Sequence, residues 1–229
     1  MQPELQYGTQ PAQLALDQNR VLRNTYLLLG LTMIPTVVGA FAGVATNFSF
    51  IAQYPIAAPL LMLAVMIGML FAVTALRNSV WGIVTLLGFT FMMGWWLGPM
   101  LQHALHFRNG PQLIGLAGGA TGLIFFGLAT YVTTTKKDFS FLGRFLFAGL
   151  ILIVLGSIAN LLFQIPVASL TISAIGVALF AGYILYDVSS IVHGGETNYV
   201  MATVRVYMDI YNLFISLLNL LLALAGSRE

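Results

Sequence analysis

Cysteine is absent from the 229 residues. That excludes disulfides and thiolate metal sites, and it leaves the compartment open. Charge is nearly as scarce: Asp, Glu, Lys and Arg make up 7% of the chain, against about 25% in a soluble globular domain. So few charges cannot cover a water-facing surface. The nine Lys and Arg residues are scattered along the chain, so the net charge of +2 makes no patch for a nucleic acid. No cofactor is expected.

What the chain has in quantity is apolar sequence. Hydrophobic residues make up 59% and the mean hydropathy is +0.92, which reads as an integral membrane protein. No charge lies between Arg23 and Arg77, enough for two spans of about 20 residues broken near "NFSFIAQYP". The runs predict an all-α protein with seven transmembrane helices at about 25–46, 56–76, 79–100, 112–134, 144–163, 168–191 and 200–224. The third should stop near Gly98-Pro99. Residues 1–22 are polar and expected to be a disordered cytoplasmic N-terminus, and 23–229 a single transmembrane domain. The first apolar run is too long for a signal peptide, so none is expected, the alternative being cleavage at "VGAFA".

Short loops rich in Lys and Arg stay inside. With the N-terminus inside, the inner side collects Arg20, Arg23, Arg77, Lys136, Lys137, Arg144 and Arg205, and the outer side Arg108 and Arg228. Seven against two supports that orientation. The C-terminus then lies outside, or inside if the last helix is re-entrant.

Small residues mark close approaches. Gly39 and Gly43 stand four apart in the first helix. "GLAGGATG" in the fourth spaces Gly115 from Gly119 and Gly118 from Gly122. Such spacing serves helix packing within a bundle or between protomers. Pro35 is expected to kink the first helix.

Two aspartates stand inside the last two apolar runs. Asp187 lies about five residues before the sixth helix ends and Asp209 about ten after the seventh begins, so both sit roughly 8–15 Å below the inner surface. An ionisable group at that depth costs several kcal/mol unless paired or wetted. Matched depth on neighbouring helices points to an ion or proton site, a pair that touches and shares a proton. The structural alternative is hydrogen bonding to Tyr186, Ser189, Tyr207 or Tyr211. Arg77, ending the second helix, and Arg205, one turn before Asp209, are candidate charge partners. Either can instead snorkel to the interface.

His103 and His106, three apart near the outer end of the third helix, have no acid or cysteine nearby to complete a metal site, so no metal is expected. His193 and Glu196 flank two glycines in "HGGE". That is not a zinc-protease motif, and a tight inner turn is expected there.

"AGYILYDVSSI", "VYMDIYNLFISLLNLL" and "TKKDFSFLGRFL" resemble the transmembrane Bax inhibitor motif family. "HGGETNY" and "VLRNTYLLL" are similar to its bacterial branch, which includes modulators of the membrane protease FtsH. The resemblance implies seven helices with the seventh central and surrounded by the other six, in a bacterial inner membrane. It also implies a calcium leak governed by two aspartates, which fall on Asp187 and Asp209. Family members often carry an arginine cluster ending the second helix, where only Arg77 stands here. The acid some have within that helix is missing.

Three functions follow. The leading one is a pH-sensitive cation leak, with calcium as the transported ion, because hard cations prefer carboxylate and carbonyl oxygens. The second is a non-transporting regulator that binds a membrane protease such as FtsH. The third is an intramembrane aspartyl protease, which needs two aspartates on adjacent helices. Asp209 lacks the flanking glycines of that motif, so no enzyme is expected.

Overall fold

The computed structural model describes residues 9–46 and 48–226. Ten helical segments order the described residues: α1 (Thr9–Ala45), α2 (Ser49–Gln53), α3 (Ala57–Leu76), α4 (Val80–Trp96), α5 (Gly98–Leu105), α6 (Gly110–Thr135), a 3-10 turn (Ser140–Leu142), α7 (Gly143–Phe163), α8 (Pro166–Val192) and α9 (Tyr199–Gly226). Among the described residues, seven stretches are long and apolar enough to cross a membrane, with α4 and α5 together making the third. The all-α, seven-span expectation holds.

Two boundaries differ from expectation. Residues 9–22 were expected to be disordered, but α1 starts at Thr9. The segment "AQLALDQNRVLR" is built of good helix formers with no internal glycine or proline, so the membrane helix propagates backwards through it. Residues 1–8, and Arg228 on the expected outer side, lie outside the described residues. The third span does not stop at Gly98-Pro99. The helix breaks at Leu97 and restarts, with Pro99 in the first turn of α5, where a missing N–H costs nothing.

The core gathers around α9, which packs on α1, α4, α6 and α8. The second and fifth spans, α3 and α7, each bury only 6% of their most apolar window, against 28–39% for the others. They are apolar on all sides and face lipid. α1 and α4 approach closely through small residues: a Cβ at Gly39 would strike the Phe91 carbonyl, and one at Gly43 the Trp95 carbonyl. The glycines of α6 behave differently. Gly115, Gly118, Gly119 and Gly122 have open space where a Cβ would stand.

Candidate functional site

A tight turn joins α8 to α9 as an antiparallel hairpin. His193, Gly194 and Gly195 donate backbone N–H groups to the carbonyls of Ser189, Ile191 and Ser190 at 3.0, 3.2 and 2.8 Å. Gly194 has φ +75°, a conformation that favours glycine, and the end of the Gln18 side chain of α1 lies 2.8 Å from where a Cβ would stand. Asn198 caps α9, its Oδ1 accepting from the Val200 and Met201 N–H groups at 3.0 and 3.1 Å. This hairpin sets Asp187 and Asp209 level with each other.

Both aspartates are buried, at 7% and 6% exposure. Their carboxyls stand close enough to interact. A carboxylate only accepts, so a hydrogen bond between the two would need a proton on one of them. Asp209 Oδ2 is buried without a hydrogen-bond partner.

The sequence leaves Arg77 and Arg205 as equal candidates beside them. Arg205 is the one that reaches the pair, with Nη1 4.0 Å from Asp187 Oδ1. Its Nη2 lies 3.1 Å from Glu196 Oε2, and its side chain is 46% exposed. Arg77 makes no ion pair among the described residues. Its carbonyl accepts from Asn198 Nδ2 at 3.3 Å, and Asn78 Oδ1 accepts from the same nitrogen at 2.8 Å, tying the hairpin turn to the α3–α4 corner.

Glu196 is the member that sequence reasoning assigned only to a turn. Its Oε1 accepts from the Asn198 N–H at 3.0 Å while Oε2 faces Arg205. The available signal was an acid just ahead of an N-cap asparagine, with an arginine two turns into the helix behind it.

None of the four expected hydrogen-bond partners serves the aspartates. Tyr207 OH shares a hydrogen bond with Thr36 Oγ1 at 3.0 Å and also lies 3.4 Å from the Thr90 carbonyl. Tyr211 OH donates to the Met93 carbonyl at 3.0 Å. Both hold α9 to α1 and α4. Ser189 Oγ accepts from the Phe139 N–H at 3.0 Å, and the Tyr186 ring lies over Gly143. The histidines are structural in this geometry. His193 Nδ1 is 2.8 Å from the Ser189 carbonyl and Nε2 3.1 Å from the Lys136 carbonyl. His106 Nδ1 is 2.7 Å from the Gln102 carbonyl, and His103 packs edge-on against Phe107. Among the described residues, no cluster of three His, Cys, Asp or Glu side chains is placed to hold a metal.

At the α6–α7 corner, Asp138 Oδ1 accepts from the Ser140 N–H at 2.8 Å. That hydrogen bond, with the nearby His193, holds the Asp138 carboxyl below its ordinary range.

Chemically, the site is a buried pair of neighbouring carboxyls, flanked on one side by a half-exposed cation with its own counter-ion. Such a pair can lose its proton and, when separated, offer four oxygens to a hard cation.

Comparisons with known proteins agree with this architecture. Residues 18–227 match the family model described as "Inhibitor of apoptosis-promoting Bax1". A protein of Vibrio cholerae named "Uncharacterized membrane protein" is 43% identical over 206 residues, 90% of each chain. The "Modulator of FtsH protease YccA" of Escherichia coli K12 is 41% identical over 206 residues, 90% of this chain and 91% of its own. An uncharacterized protein of Pseudomonas aeruginosa is 44% identical over 209 residues, 91% of each. The match over almost the whole membrane domain settles the classification: the chain belongs to the Bax inhibitor-1 family.

Proposed function

We propose that this protein is a pH-sensitive cation leak of the calcium type, gated by Asp187 and Asp209. The observation that carries this reading is the buried carboxyl–carboxyl contact between α8 and α9. In its singly protonated form the pair makes a charge-assisted hydrogen bond that ties the two helices together. Asp209 holds the proton, because Arg205 stands against Asp187 and favours the charge there. When the proton leaves, two like charges face each other in a medium of low dielectric, and repulsion separates the helices. The oxygens released then suit a hard cation. Two carboxylates without a third acidic ligand make a weak site, as conduction requires.

Purified protein in liposomes should admit calcium faster at mildly alkaline than at mildly acidic pH. Asp187→Ala removes both the tie and the repulsion, leaving a leak that no longer follows pH. Calcium entry no faster than into empty liposomes at any pH contradicts the reading.

A second reading rests on the relative named "Modulator of FtsH protease YccA". In it the chain binds a membrane protease in the inner membrane and transports nothing. Crosslinking and pull-down from native membranes tests it. Recovery of the protease with the parent and equally with Asp187→Ala supports a docking role separate from the aspartates, and no recovery with either removes this reading. The names "modulator" and "inhibitor" point to a non-enzymatic role.

A further inference from the structure

α1 and α6 both pack on α9 but have at most marginal contact with each other. Between the three helices lies a cavity of about 690 Å³. Its walls run along α1 from Tyr26 to Ala40 and along α6 from Thr133 back to Ile114, closed behind by Tyr207, Tyr211 and Phe214 of α9. The fourteen steps from Tyr26 to Ala40, at about 1.5 Å each, make it about 21 Å long. Gly118 and Gly122 hold it open, since neither has an atom where a Cβ would stand. Its side opens past Val37 and Phe126, which are 52% and 68% exposed, at the depth of the bilayer core.

An empty space of this size between helices would forfeit packing contacts along its whole lining, and its apolar walls give water few partners. Its volume falls in the range of ordinary ligand sites, and its length along α1 suits a hydrocarbon chain. Two features set one end apart. Tyr26 OH is buried on the cavity wall with no hydrogen-bond partner, a donor awaiting an acceptor. One turn beyond it, on the same face of α1, stands Arg23, three residues before Tyr26 and seven before Gly30. Lys136 ends α6 at the same level, three residues past Thr133. Arg23 and Lys136 are exposed and have no ion-pair partner among the described residues.

We propose that the cavity between α1, α6 and α9 binds one acyl chain of an anionic phospholipid, with the chain lying along Gly118 and Gly122, an ester carbonyl accepting from Tyr26 OH and the phosphate beside Arg23 and Lys136. Moving a tail from bilayer to cavity gains little hydrophobic energy, because lipid is as apolar as the walls. Selectivity therefore comes from the polar end, where basic residues at a membrane surface attract anionic headgroups. The site is independent of the aspartate pair, whose carboxyls do not line it.

The test uses full-length protein in phosphatidylcholine nanodiscs containing a minor fraction of phosphatidylglycerol with a photoreactive acyl chain. Crosslinks should concentrate on the α1, α6 and α9 residues that line the cavity. Gly118→Leu and Gly122→Leu put side chains into this space, starting from a Cβ that meets nothing, and should remove most of that crosslinking. Gly127→Leu, equally unhindered but away from the cavity, should leave it intact. Arg23→Gln should abolish the preference for phosphatidylglycerol over a photoreactive phosphatidylcholine while the tail still enters. Labelling spread evenly over the outer faces of α3 and α7, or undiminished in Gly118→Leu, overturns the proposal. So does an equal loss in Gly127→Leu. Labelling by a photoreactive free fatty acid but not by the phospholipid overturns the assignment of the ligand.

Discussion

Asp187 and Asp209 meet through their carboxyls, yet among the described residues only Asp187 has a cation within 4.0 Å, Arg205. The pair is thus asymmetric. Asp187 faces a cation, while Asp209 keeps one buried oxygen without a hydrogen-bond partner; in the proposed gate the first carries the charge and the second the proton.

Arg205 divides its guanidinium between Asp187 and Glu196, so the two neutralising substitutions should act in opposite directions. Arg205→Gln takes positive charge from the pair and should move the onset of calcium leak to higher pH. Glu196→Gln takes away a competing negative charge and should move it lower. Both should cost little stability, about 0–1 kcal/mol, because Arg205 is half-exposed and solvent screens its ion pairs. Flux into liposomes across a pH series checks this; shifts of the same sign in the two variants would refute the tug between carboxylates.

The α1–α4 interface offers a test of packing. Gly39→Leu and Gly43→Leu push side chains into the backbone of α4 and α5 and should each destabilise the fold by about 1–3 kcal/mol. Gly127→Leu points into open space and should stay within about 0.5 kcal/mol of the parent. Unfolding of the three variants in detergent ranks them. A Gly43→Leu protein as stable as Gly127→Leu would mean the two helices do not meet at these glycines.

The loop charges predict an inner N-terminus. With the N-terminus inside, the α6–α7 corner carrying Lys136 and Lys137 is cytoplasmic. The chain lacks cysteine, so single cysteines can be introduced without background. One beside Lys137 should resist an impermeant reagent added outside and react after permeabilisation. Reaction in intact cells would invert the topology.

Asp138 should make the α6–α7 corner sensitive to acid. Its folded-state titration is depressed by the Ser140 N–H bond. That contribution is present above the ordinary carboxylate range and lost as pH falls through the depressed folded value. The protection factor of the Ser140 amide, its exchange rate corrected for the intrinsic dependence on pH, should fall in acid in the parent. In Asp138→Ala that protection should already be low at neutral pH, and equal protection in the two proteins at neutral pH would contradict the cap.

The membrane plan was legible because runs of about 20 apolar residues have few other uses: the ends of α3, α6, α7, α8 and α9 fall within two residues of those expected. Proline misled at Pro99, which starts α5 rather than ending the span. The proximity of Asp187 and Asp209 was legible from matched depth. Their surroundings were not. Helices apolar on every side carry no amphipathic stripe, so sequence does not reveal how α9 is rotated. Tyr207 and Tyr211 therefore looked available to the aspartates but point to Thr36 and Met93. Glu196 was missed because a turn residue follows no helical period. The glycines of "GLAGGATG" carry the usual signature of close packing, and here some of them border a cavity, a difference that only the positions of α1 and α9 decide.

Calcium flux into liposomes against pH, for the parent and Asp209→Asn side by side, tests the central claim most directly. The amide introduced by that substitution cannot gain a negative charge, so the repulsion that opens the pair is gone. The parent should leak more from mildly acidic to mildly alkaline pH, and the variant should show a flat profile. Identical pH profiles in the two proteins would contradict the gate, even if both conduct.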